Sequence, residues 1–160
     1  VNRPPFVPAV ALAARQSLGM SPQQVAEQMN ACGASIDISH VHAWEFGDYH
    51  PTEQELFALA DVLWCRTTDL MGIDESRTLM EHRLERQFTT ARLAHSIGMD
   101  TVQYEQAEER SLWTGDARQT AALLRLLNVS PLQLAQMIDQ PGRSWSDTSA
   151  PPEPTSGRLA

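Results

Sequence analysis

The residues whose types could do chemistry gather in one short stretch: Asp37, Ser39, His40 and His42, with Asp48 and His50 following. A metal centre is the first chemistry to weigh. Histidines two apart on a helix point in different directions, and no third ligand stands at a fixed spacing from them, so metal binding is not expected. Cys32 and Cys65 carry no Cys-x-x-Cys or Cys/His pattern, which gives neither a zinc site nor a disulfide framework. Cys65 reads as a small buried hydrophobe and Cys32, in a turn, as an exposed thiol. Glu105, Glu108 and Glu109 read as a solvated helix face without a catalytic partner. No cofactor is expected, and the protein is not expected to be an enzyme.

The elements that would position these residues are helices. Apolar residues recur at helical spacing, with stops and starts too close together for long bundle helices. Gly19 suits the left-handed conformation that ends one helix, Ser21 caps the next, Pro22 fits its first position, and Gln24 completes a capping box. Val25, Ala26 and Met29 share one face of that helix. Asp37 starts a helix that stops at Gly47, and within it Val41 and Trp44 form a buried seam. Ile38, Ser39, His42 and Ala43 point elsewhere and give a small, uncharged outer face. Pro51 and Thr52 open a helix with Leu56, Leu59, Ala60 and Leu63 at core spacing, and a short helix holds Leu70 and Met71. Trp44 is core, whereas Trp64, Trp113 and Trp145 lie near helix ends or in the tail and are interface candidates.

The same order of signals returns later. Phe88-Thr89 matches Met20-Ser21 at an offset of 68, Met99-Asp100 matches Ile36-Asp37 at 63, and Leu124 to Leu134 matches Ala60 to Leu70 at 64. An internal duplication accounts for this if the turn from Asn30 to Ser35 holds about five extra residues. The length of 160 residues suits one ordinary domain or two small ones of about 65 residues each.

Charge restricts the partners. Twenty acidic residues against twelve arginines, with no lysine, leave a net charge of −8. DNA affinity rests largely on neutralising phosphates, so a protein this acidic must concentrate its positive charge or bind something else. No run of about 18 apolar residues exists, so neither a transmembrane helix nor a signal peptide is read, and a cytoplasmic location without membrane contact is expected.

In the second copy Ala94, Gly98, Tyr104 and Ala107 stand at helix-turn-helix spacing: a small residue where two helices cross closely, a positive-φ turn, and two anchors on the second helix. Ala26, Val41 and Trp44 hold the same places in the first copy, the large residue having moved to the later anchor. From Gly19-Met20-Ser21 through Trp44-Glu45-Phe46-Gly47, then Pro51-Thr52, Leu56, Leu59-Ala60, Leu63 and Thr68-Asp69-Leu70, the chain resembles the Cro-repressor or XRE family. The resemblance spans residues 10 to 72, in a variant with a lengthened turn, and a looser match spans 78 to 138. That second match keeps Glu108 but lacks the aromatic before it and the Gly after it.

What the resemblance implies is recognition of double-stranded DNA, with the helix from Asp37 to Glu45 in the major groove and the helix start at Pro22, Gln23 and Gln24 against a phosphate. By the same resemblance Ile38, Ser39, His40, His42 and Ala43 face bases, Ile38 on a thymine methyl. Pro22 stands where a DNA-contacting Gln is usual, and the reading helix has no Arg or Lys. In the second copy Thr101, Gln103, Glu105 and Gln106 are the exposed residues, with Thr90 and Arg92 placed to touch backbone. Its glutamates would repel phosphates, so protein contact is its expected role, within the chain, in a homodimer or with another protein.

The expectation is an all-α chain of two tandem lambda-repressor-like helix-turn-helix domains. An arm at 1–8 precedes the first domain at 9–74, a degenerate second at 75–140 and a flexible Pro/Ser-rich tail at 141–160. The expected function is a sequence-specific DNA-binding transcriptional regulator reading mainly through the first domain. The alternative is a protein-interaction adaptor that keeps the fold without significant DNA binding.

Overall fold

Side-chain caps decide where most of the helices begin. Ser21 Oγ accepts the Gln24 N–H at 3.2 Å while Gln24 Oε1 accepts the Ser21 N–H at 2.8 Å. Such a reciprocal pair satisfies two backbone donors that the first helical turn leaves over. Thr52 with Glu55, Thr78 with Glu81, and Asp116 with Gln119 repeat the device. In the computed structural model, which describes residues 3–138, these caps belong to an all-helical chain. Its helices are α1 (Pro8–Ser17), α2 (Pro22–Ala31), α3 (Ile38–Phe46), α4 (Glu53–Val62), α5 (Thr67–Met71), α6 (Leu79–Glu85), α7 (Thr90–Ile97), α8 (Thr101–Arg110), α9 (Ala117–Leu127) and α10 (Pro131–Ile138). The tail expected at 141–160, with Trp145, lies outside the described residues. No helix among the described residues is long and apolar enough to cross a membrane.

The apolar faces meet in two clusters. One joins α1 to α5 around Met29, Trp44, Leu56 and Leu70, and the other joins α7 to α10 around Leu93, Tyr104, Leu123 and Leu127. Both small alanines at the helix crossings, Ala26 and Ala94, are buried as their closeness requires. Helix α6 belongs to both clusters: Leu84 enters the first and Leu79 the second.

Extra residues are expected in the connection from α2 to α3, which can be set beside that from α7 to α8. Helix α2 has 10 residues where α7 has 8, and six residues (32 to 37) join α2 to α3 where three (98 to 100) join α7 to α8. Helix α2 and its connection are together five residues longer than α7 and its connection. Asn30 holds the loop: its Nδ2 donates to the Ile36 carbonyl at 2.8 Å and its Oδ1 accepts the Ile36 N–H at 2.9 Å. That pairing drops Ile36 into the first cluster.

Of the arm expected at 1–8, the last residue belongs to the first helix. Pro8 is the first residue of α1, where its missing N–H costs nothing. The preceding residues are packed rather than free: Phe6 is buried in the first cluster, and the Val7 N–H donates to the Leu70 carbonyl at 2.7 Å. Arg3 Nη1 donates to the His50 carbonyl at 2.5 Å, and His50 Nδ1 lies 3.0 Å from the Pro4 carbonyl.

Two arginines tie helices together in the same way. Arg15 on α1 donates through Nε and Nη2 to Glu45 on α3, and through Nη1 to the Met20 carbonyl. Arg83 on α6 donates through Nε and Nη2 to Glu108 on α8, and through Nη1 to the Phe88 carbonyl. Arg83 adds a second carboxylate, Glu53 on α4, at 2.9 Å from both Nη1 and Nη2. All five guanidinium donors are then used.

Candidate nucleic-acid interface

Helix α3 is held by α2 on one side and α1 on the other, and this leaves one outward sector. At 100° per residue, Ile38, Ser39, His42 and Phe46 share it, and all four are exposed. Phe46, 76% exposed, lies beneath His42 with ring centroids 6.2 Å apart and planes 26° from parallel. Sequence reasoning missed Phe46, although its position four residues after His42 was the available signal.

Ala43 is not in that sector. It is buried, contrary to the base-facing position expected of it. Gly47, left-handed at φ +78°, ends the helix, and the Asp48 N–H donates to the Ala43 carbonyl at 2.9 Å.

His40 and Ser39 serve the helix start. His40 Nδ1 accepts the Asp37 N–H at 3.1 Å, and Asp37 Oδ1 accepts the Ser39 N–H at 2.9 Å as well as the Ser39 hydroxyl. His40 is only half exposed, and its Nδ1 also lies 3.2 Å from Asp37 Oδ1. The Ser39 hydroxyl and N–H both stabilise the Asp37 carboxylate and hold its pKa below the ordinary aspartate value. A negative charge therefore stands at the foot of α3.

The start of α2 is largely committed to its own cap. Pro22 has no N–H, and Gln24 is engaged on both its backbone and its side chain. Among the described residues the Gln23 N–H is the donor left over at that end, while the Gln23 side chain donates to Glu27 at 3.1 Å. The arm brings Arg3 close to the end of α3, with its Nη1 3.9 Å from the Glu55 carboxylate. Arg3 stacks over Tyr49, 5.2 Å from the ring centroid, at the connection that follows α3. It was not foreseen, because nothing local in the sequence says that residue 3 returns to residue 49.

The residues expected to touch DNA on the second unit are mostly occupied. Thr90 Oγ1 donates to Glu105 at 3.0 Å, Gln103 Nε2 donates to Thr114 at 3.0 Å, and Arg92 lies over the Phe88 ring at 5.7 Å. Thr101 is half-buried and Gln106 is exposed. Glu108 does not belong to a solvated face as expected. It faces inward, bound by Arg83 and by the Tyr104 hydroxyl at 2.8 Å. Burial and the neighbouring Glu108 carboxylate both push the Tyr104 phenol above its ordinary pKa. Glu105 and Glu109 remain on the surface, beside Glu53 and Glu108 in a cleft of about 600 Å³ next to the arm.

A close helix crossing at Ala26, a connecting loop, a following helix with one exposed sector and a capped helix after it together make a helix-turn-helix arrangement. Residues 12–70 match the family model described as helix-turn-helix. These residues form an XRE-type helix-turn-helix domain. No curated protein and no solved structure matches the chain. Within the XRE-type domain, α2 and α3 are the helix-turn-helix pair, α1 and α4 brace them, and α5 closes the core.

Neither cysteine is on α3. Cys32 is exposed, and burial, with the Asp69 carboxylate adding to it, pushes the half-buried Cys65 thiol up to about 11. Because the thiolate is the reactive form, iodoacetamide at about pH 8 is expected to alkylate Cys32 at least about tenfold faster than Cys65. Peptide mass spectrometry over a time course measures both rates, and equal rates would contradict this assignment of burial.

Proposed function

We propose that the protein is a cytoplasmic, non-enzymatic, sequence-specific DNA-binding transcriptional regulator that reads DNA through α3 of its XRE-type domain. The observation that carries this reading is the outward sector of Ile38, Ser39, His42 and Phe46 on a helix whose other sides are packed. Ile38 offers an apolar surface for a thymine methyl, and His42 offers a hydrogen-bonding edge held in place by Phe46. Residues 75–138 are a second, degenerate copy in this reading. Support comes from the arginine clamp: Arg15 to Arg83 and Met20 to Phe88 differ by 68, while Glu45 to Glu108 differs by 63. The same drop separates the helix-starting residues Ser21 and Thr89 from Asp37 and Asp100.

A second reading, an adaptor that binds protein and not DNA, is favoured by charge. The net charge is −8, Asp37 stands at the foot of α3, and Glu105 and Glu109 are exposed on α8. Fluorescence anisotropy at low salt, with random and genomic duplexes, separates the two. The regulator reading expects a fragment that binds better than bulk DNA, and His42→Ala should weaken that binding by about 1–2 kcal/mol, roughly tenfold. If no fragment is preferred and His42→Ala changes nothing, the adaptor reading stands.

A further inference from the structure

We propose that the second unit is a built-in partner for the XRE-type domain, covering its α5 surface head to tail, so that the protein works as an asymmetric monomer on a DNA site without inverted symmetry. This rests on the reading above that residues 75–138 are a second copy bound to a DNA reader.

The seam joins unlike elements. Helix α6, the counterpart of α1, lies against α5, and Arg83 reaches Glu53 at the start of α4. A two-fold pair would put the same patch on both sides, whereas unlike patches make a head-to-tail contact that no two-fold axis relates. Helices α3 and α8 are therefore not a symmetric pair of reading heads.

Differences between counterpart positions show that the seam is built for this purpose. Leu84 is fully buried in the first cluster where α1 carries the exposed Gln16. Met80 packs on that cluster too, but its counterpart Leu12 is also apolar, so position 84 is the one that converts a solvent face into a seam. On the other side Thr67 and Thr68 of α5 are only 2% and 4% exposed, while their counterparts on α10, Pro131 and Leu132, are exposed, Leu132 by 69%. Helix α1 ends through Gly19 at a positive φ, but α6 ends through Gln87 at φ +58°. A non-glycine residue there is strained, and the strain has a use: Gln87 Nε2 donates to Asp61 at 3.1 Å and to Thr67 at 3.4 Å across the seam.

Light scattering of the full chain, alone and with the duplex recovered from a random-sequence selection, tests the proposal. The free chain is expected to be monomeric at micromolar concentration, and the complex to hold one chain on a sequence without an inverted repeat. A free dimer, or two chains on an inverted repeat, would overturn it. Failure to recover any sequence defeats the DNA-binding reading, and the mass of the free chain still decides the built-in-partner claim. Hydrogen exchange gives a second readout. In the Met80→Ala, Leu84→Gln variant, amides of α5 should exchange about tenfold faster while α7 to α9 keep their rates. Should that variant fail to fold, Glu53→Gln with Gln87→Ala is expected to act in the same direction. Unchanged exchange in α5 in either folded variant overturns the claim.

Discussion

Replacing Arg83 by alanine is expected to destabilise the protein by about 3–5 kcal/mol, because it leaves two carboxylates that have lost their common partner. The side chain is 1% exposed, and its five donors meet Glu53, Glu108 and the Phe88 carbonyl. Burial alone would lower the guanidinium pKa, but the bonds to Glu53 and Glu108 more than reverse this and hold it above the ordinary arginine value. The charge of Arg83 is therefore present throughout the range in which the protein would be studied. Arg15 is the control. It has one carboxylate partner and a more accessible side chain, so Arg15→Ala should cost clearly less. Urea unfolding of both variants measures the difference. If Arg83→Ala costs no more than Arg15→Ala, Glu53 adds nothing to the clamp. A triple change, Arg83→Met with Glu53→Gln and Glu108→Gln, should recover much of the loss, since buried ion pairs replaced together are often neutral.

Trp44→Ala is the second large effect, expected at about 3–5 kcal/mol in the first cluster. Trp44 is 1% exposed and anchors α3 between α1 and α2. Trp44→Phe should cost much less than that. The indole Nε1–H is buried without a hydrogen-bond partner among the described residues, so the smaller ring gives up area but also removes an unsatisfied donor. Thermal unfolding of the two variants distinguishes them. A Trp44→Phe loss as large as that of Trp44→Ala would mean that the indole nitrogen is satisfied in solution.

These two residues differ in how far the sequence announced them. Trp44 stood three positions after Val41 on a capped helix, and that spacing alone assigned it to the core. Arg83 was one of twelve arginines, with nothing local to separate it from Arg86 or Arg92. Glu108 looked like its neighbours Glu105 and Glu109, yet it alone of the three binds Arg83 and Tyr104. Helical periodicity says which residues share a face. It does not say which face meets another helix, because that depends on how the helices cross.

The same limit applies to the residues proposed to read DNA. The uncharged character of the outer face of α3, with Ile38 and His42 on it, was legible from the caps and the Val41 and Trp44 seam. Ala43 is buried and Phe46 exposed because which flank of α3 is covered depends on how its neighbours pack and not on the local pattern. Arg3 reaches Tyr49 only through the fold of the arm.

His40 and Ser39, singled out first for their chemistry, are chiefly occupied with Asp37 in starting the helix that carries His42. The sequence by itself determined the helix starts and stops and the close-packed alanines, all of them interactions within a few residues or fixed by one helical period. Only the tertiary structure decided which carboxylate goes inside, where the arm returns and what covers α5. Those choices depend on contacts between residues far apart in the chain, whose free energy exists only once the helices have packed.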